Sequence, residues 1–69
     1  MNDETRELLE DILARGRYTV QTARNGFEAL QYARDDPPDL VISDIFMPGM
    51  DGFELLSHIR QDDSLAKLP

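Results

Sequence analysis

The sequence contains no cysteine, which excludes a disulfide staple and any thiolate metal site. Its single histidine, His58, excludes a zinc centre built on a His pair. Positive charge is scarce: 7 Lys and Arg stand against 14 Asp and Glu, for a net charge of −7. That balance argues against general binding to a phosphate backbone, which needs a Lys/Arg surplus, so no nucleic-acid partner is expected for this segment. No apolar run is longer than a few residues, and no membrane span is expected. The N-terminal MNDETRE is acidic and lacks the basic and apolar regions of a signal peptide, so a cytoplasmic location is the expectation. Internal repeats and low-complexity linkers are absent. What remains is a chain of 69 residues, 41% hydrophobic and 30% charged, a globular composition with room for one small domain. A domain this small buries only about 60% of its unfolded surface, so its stability is marginal.

Along the chain, helical and strand-like patterns alternate. Leu8, Leu9, Ile12 and Leu13 form one apolar stripe and predict a helix over about 5–15, with Asn2, Asp3 or Thr5 as cap and Gly16 as a left-handed stop. Residues 18–23 (YTVQTA) alternate β-branched or aromatic with polar residues and predict a strand. Asn25-Gly26 then reads as a strand-to-helix turn, with Asn25 as cap of a helix over 26–35 that carries Phe27, Leu30 and Ala33. Asp36-Pro37-Pro38 ends it, because the residue before a proline is pushed out of the helical region. Residues 39–43 (DLVIS) form a nearly continuous apolar run, the pattern of a strand covered on both faces. After a loop set by Pro48, Gly49 and Gly52, Phe53, Leu56 and Ile59 predict a helix over 52–61. Short strands alternating with ten-residue helices imply βα units and a parallel α/β sheet.

In open α/β sheets the chemistry gathers at the carboxyl ends of strands, and Asp44 stands at such an end. A carboxylate at this rim can hold a hard cation or act as a nucleophile; the plainer alternative is a strand-end acid that binds a loop amide. His58 lies mid-helix with no partner for nucleophilic catalysis, and no Ser/His/Asp set exists, so an independent hydrolase is not expected and His58 is read as a solvated or packing residue.

The segment D-I-F-M-P-G-M-D-G-F-E-L over 44–55, preceded by P-D-L-V-I-S over 38–43, resembles the phosphoacceptor loop and third strand of response-regulator receiver domains. N-G-F-E-A-L over 25–30 resembles the opening of that family's second helix, and R-E-L-L over 6–9 its first helix. The resemblance covers essentially the whole chain. It implies a flavodoxin-like, doubly wound parallel sheet of strand order 2-1-3-4-5. It also implies that Asp44 accepts a phosphoryl group from a sensor histidine kinase or phosphotransfer protein and later loses it to water. In the family, Mg²⁺ is held by the acceptor, by an acidic pair after the first strand, and by the backbone carbonyl two residues past the acceptor; those positions would be Asp44 and Phe46 here. Met47 and Pro48 would aim that carbonyl inward while Gly49 and Gly52 relieve backbone crowding, a role compatible with plain loop punctuation. Asp51 is read as a helix cap rather than a ligand.

The chain departs from the family pattern at both ends. The second member of the acidic pair would fall at Met1 and the first would precede it; Asp3 and Glu4 come two or three residues too late and read as N-terminal helix charges. The fourth strand with its Ser/Thr and the fifth with its Lys have no counterpart, and Lys67 does not supply one. Residues 1–69 are therefore expected to form a partial receiver domain that lacks the first strand and the C-terminal βα units. Mg²⁺ binding is expected to be weak or absent without the acidic pair. Because the absent first strand would lie between the two that remain, unpaired backbone edges are expected. Such a chain is a fragment dependent on a partner, a homodimer or domain-swapped assembly completing the sheet, or part of a longer receiver. The alternative to a phosphoacceptor is a truncated or degenerate receiver acting as a phosphorylation-independent interaction module.

Overall fold

The computed structural model describes residues 2–69, in the order α1 (Asp3–Arg15), α2 (Gly26–Asp35), α3 (Gly52–Gln61). Each helix begins on a side-chain cap. The Asn2 carboxamide oxygen accepts the Thr5 N–H at 2.8 Å, which starts α1 two residues ahead of the expected Thr5 and sets Asp3 and Glu4 in its first turn. Asn25 caps α2 by accepting the Glu28 N–H at 2.8 Å, and the Glu28 carboxylate reaches back to accept the N–H of Arg24, the residue before the cap, at 3.1 Å. Asp51 caps α3 through the Glu54 N–H at 2.8 Å.

The end of α1 differs from the sequence expectation. Gly16 keeps a negative φ of −78°, and the left-handed residue is Arg17 at φ 66°. Arg17 N–H donates to Ala14 C=O and Tyr18 N–H to Leu13 C=O, each at 3.1 Å, a Schellman closure with arginine where glycine is usual. The left-handed conformation costs a residue with a Cβ roughly 1–2 kcal/mol, partly offset by glycine's greater freedom when unfolded. Arg17→Gly is therefore expected to stabilise the chain by roughly 0.5–1 kcal/mol, read as a rise in thermal midpoint. An unchanged or lower midpoint would show that no strain resides there.

The core lies between α2 and α3 and the turn that follows α3. Leu30, Ala33, Met50, Leu55, Ile59 and Leu65 are buried, with Ala29, Val41, Met47 and Leu68 packed against them. Residues 62–69 fold back rather than trail away. Arg60 donates to the carbonyls of Ala66 and Leu68, both at 2.6 Å, and the Val41 N–H donates to Pro69 C=O at 3.1 Å. Asp62 ties this turn to α2: one carboxylate oxygen accepts from Arg34 Nε at 3.0 Å, the other from the Ser64 hydroxyl at 2.6 Å and the Ser64 N–H at 3.0 Å.

These bonds favour the charged form of Asp62. The Ser64 hydroxyl first, then Arg34, then the Ser64 amide hold its carboxyl below the ordinary value of 3.8. A folded-state pKa below the unfolded one contributes stability that is present above the unfolded value and is lost as pH falls through the folded value. Asp62→Asn should accordingly cost stability near neutrality and flatten the acid limb below about pH 4. Urea midpoints of both chains across pH 2–7 check it; parallel acid limbs would refute the assignment.

The strands expected at 18–23 and 39–43 are not formed among the described residues. A strand needs a neighbour for its N–H and C=O groups, and two strands without a third are marginal. Here both segments line a cleft of about 1060 Å³ instead of flanking a strand. The Val41–Pro69 bond is the one backbone hydrogen bond that 39–43 makes among the described residues. No ladder is seen among the described residues, and the helices and their order stand as expected. Helix α1 stands apart as well, since no Cα of it approaches α2 or α3 within 8 Å and it buries no residue.

Candidate functional site

Asp44 follows the apolar run Leu40-Val41-Ile42 and is half-buried, lining the large cleft together with Phe46, Met47 and Pro48. Its main-chain carbonyl accepts the Ser43 hydroxyl at 2.9 Å. The loop beyond it is closed by a bond from the Gly52 N–H to the Ile45 carbonyl at 2.7 Å. Gly52 is needed for that closure: a Cβ on it would collide with the Asp44 carbonyl oxygen and stand 2.9 Å from Ile45 Cα. Gly49 turns the loop at φ 82°, and Met50, 3% exposed, anchors it in the core beside Gly26.

The loop therefore holds Asp44 at one end and the capped start of α3 at the other. Met47 packs against the core, whereas the Phe46 side chain is 86% exposed. Phe27, close to any side chain at Gly49, and Phe53, on the first turn of α3, are also exposed. Asp51 serves α3 as its cap. His58 is exposed in the last turn of α3. Ser43, which sequence reasoning passed over, touches the site through the Asp44 carbonyl; a serine at a strand-like end carries no signal of that contact.

The described residues supply only part of a donor set for the Mg²⁺ that the resemblance implies. That ion demands near-octahedral oxygen coordination. Among the described residues no group of three or more His, Cys, Asp or Glu side chains could hold a metal. Asp3 and Glu4 belong to the first turn of α1, where Asp3 pairs with Arg6 at 3.1 Å. Asp44 and the Phe46 carbonyl are too few ligands by themselves. Met1, the position matching the acidic pair, lies outside the described residues.

Comparison with known proteins gives a consistent result. Residues 2–69 match the family model described as response regulator receiver domain. The transcriptional regulatory protein AfsQ1 of Streptomyces coelicolor is 41% identical over 64 residues, covering 93% of this chain and 28% of that protein. The polar-differentiation response regulator DivK of Brucella anthropi is 35% identical over 68 residues, covering 99% of this chain and 55% of that protein. Among solved structures, the N-terminal domain of a response regulator receiver protein from Methanoculleus marisnigri superposes with a TM-score of 0.92 at 37% identity, covering 99% of this chain and 55% of that one. The chain thus spans about half or less of the length of these relatives. No described helix is long and apolar enough to cross a membrane.

Proposed function

From the premise that this chain belongs to the response regulator receiver family, we propose that it serves two-component signalling as a phosphoacceptor module with Asp44 as the acceptor. The observation that carries the reading is the placement of Asp44: a carboxylate at the end of an apolar segment, half-buried on an open cleft, beside a loop closed by Gly52. In the proposed step an Asp44 carboxylate oxygen attacks the phosphorus of a donor phosphohistidine in line. The O–P bond forms as the P–N bond breaks, and the imidazole nitrogen leaves with the electron pair. Water later attacks the phosphorus and releases the carboxylate and inorganic phosphate. The donor is a sensor histidine kinase or a phosphotransfer protein, and the reaction belongs to the cytoplasm. The acyl phosphate carries about −1.5 to −2 charge where the free carboxylate carried −1, and its three phosphoryl oxygens add strong acceptors beside the loop that can bias a surface between two states.

No group of three or more His, Cys, Asp or Glu side chains that could hold a metal forms among the described residues, which favours a second reading, a receiver-like module that binds partners without being phosphorylated, and one experiment separates the two. The chain is incubated with acetyl phosphate, with and without Mg²⁺, and its intact mass is recorded. The acceptor reading expects a gain of one phosphoryl group that Asp44→Ala abolishes. Labelling that survives Asp44→Ala moves the acceptor elsewhere. No labelling, under conditions that label a full-length receiver, leaves the interaction module.

A further inference from the structure

We propose that the Asn25-Gly26 peptide is a modification site, deamidating through a cyclic imide at a rate held back by the folded start of α2. The proposal is independent of whether Asp44 accepts phosphate.

Three observations carry it. The first is the pair itself. Asn25 is followed by glycine, so the attacking main-chain nitrogen belongs to a residue with no side chain to block its approach. The other asparagine of the chain, Asn2, is followed by Asp3, which sets a Cβ and a carboxylate beside the attacking nitrogen. In the step, the Gly26 nitrogen attacks Asn25 Cγ and gives up its proton to water. The new N–C bond forms, the Cγ–Nδ2 bond breaks, and ammonia leaves with the electron pair and a proton. Water then adds to either carbonyl of the five-membered imide, and the C–N bond on that side breaks. Opening at Cγ leaves aspartate at position 25; opening at the main-chain carbonyl leaves isoaspartate, with the chain rerouted through the side chain. An amide and a water become an acid and ammonia, and no other reactant is needed.

The second is the geometry that restrains the step. Ring closure needs the Gly26 nitrogen brought over Asn25 Cβ by rotation about the Cα–C bond, a near-attack arrangement. Asn25 is instead extended, at φ −156° and ψ 171°, and its side-chain oxygen is tied to the Glu28 N–H at 2.8 Å. Gly26 is buried, away from the water that takes its proton. Both reacting groups are thus locked in the cap, and the start of α2 must open before they meet. Openings of this kind are local, and the fraction of time spent open scales the rate.

The third is what the products do. The main chain at Gly26 packs directly on Met50: a Cβ built on Gly26 would stand 2.9 Å from Met50 Cβ, and Met50 is 3% exposed. Aspartate keeps an acceptor for the Glu28 N–H and adds a negative charge at the positive end of the helix. Isoaspartate inserts a methylene into the main chain, withdraws that acceptor and shifts Gly26 against Met50. Met50 lies in the loop between Asp44 and Gly52, so the disturbance passes from the cap of α2 to that loop.

The test follows both asparagines of the whole chain by peptide mapping, with isoaspartate separated by chromatography, during incubation at neutral pH in buffer and in urea. In urea Asn25 should lose its amide well ahead of Asn2. In buffer the rate at Asn25 should be at least about tenfold lower, the factor given by about 1.4 kcal/mol of opening free energy. Leu30→Ala, which removes a buried side chain of α2, should bring the buffer rate towards the urea rate. Gly26→Ala should slow the reaction several-fold in urea, a measurement that needs no folding. Equal rates in buffer and urea would overturn the restraint by the fold. An Asn25 no faster than Asn2 in urea, or indifferent to Gly26→Ala there, would overturn the site. The purified isoaspartate form should melt below the Asn25→Asp variant and lose amide protection at Glu28; identical melting and protection would overturn the consequence drawn for the loop.

Discussion

Gly52→Ala is expected to lose about 3 kcal/mol of stability, the upper range for forcing an extra methyl into a packed site. The added Cβ would meet the Asp44 carbonyl oxygen, and beyond it Ile45 Cα at 2.9 Å and the Asp44 carbonyl carbon at 3.2 Å. All three are main-chain atoms, so no rotamer change relieves the clash. The relief available is to part the two ends of the loop, which breaks the 2.7 Å bond from Gly52 N–H to Ile45 C=O and shifts the start of α3. The same movement displaces Asp44, so in the acetyl phosphate assay labelling should fall together with stability. Two other glycines supply internal controls. At Gly49 the positive φ of 82° strains any side chain, but the neighbour is the exposed ring of Phe27 at 3.2 Å, which can swing aside. At Gly26 the neighbour is buried Met50, whose Cβ stands 2.9 Å away and moves only with its main chain. Gly49→Ala should cost less than Gly52→Ala, about 1 kcal/mol, whereas Gly26→Ala should approach the Gly52→Ala cost. The check is the set of urea midpoints for the three variants; a Gly52→Ala midpoint equal to that of the parent would disprove the close approach.

Leu65→Ala should cost about 3 kcal/mol, within the 2–5 kcal/mol range for leucine truncation in cores. Leu65 is 0% exposed, the most completely buried side chain of the core, although it lies in a turn beyond the last helix. Its loss leaves a cavity under α3 and frees the turn over 62–69. That turn is otherwise held by Arg60, by the Asp62–Arg34 pair and by the Val41–Pro69 bond. Cores of this size rarely supply more than about 3–5 kcal/mol in all, so the variant should retain about 2 kcal/mol or less. Leu56→Ala, at a position 46% exposed, should cost less than about 1 kcal/mol by comparison. Thermal melts followed by circular dichroism distinguish them. Similar melts for the two variants would mean that the turn is not part of the core.

The two predictions mark where sequence reading stopped. The loop over 44–52 was legible: an acid after an apolar run, then Pro48, Gly49 and Gly52 at fixed offsets. That Gly52 folds back onto the main chain of Asp44, eight residues earlier, was not, because a glycine in a loop signals permissiveness and not which atoms approach it. Leu65 belongs to a polar stretch without helical period, so pattern gave no reason to rank it above Leu56, which lies on the helical stripe. The left-handed stop of α1 was assigned to Gly16 by preference and is taken by Arg17, because the hydrogen bonds to Leu13 and Ala14 select the position.

What the sequence by itself determined is local. Asn25 and Asp51 accept from residues three positions on, Pro37 forbids continuation of α2, and the motif from Asp44 to Gly52 places the chain in its family; all of these act within a few residues. What only the tertiary structure decided depends on partners distant in the chain. Whether 18–23 and 39–43 form a ladder is settled by what lies between them, and the cleft there leaves their β propensity unspent. Whether Leu65 is core or surface is settled by α3 and the segment at Val41 folding over it. Propensity and capping are properties of neighbours in sequence, while ladders, burial and close backbone approach exist only once non-local groups are brought together.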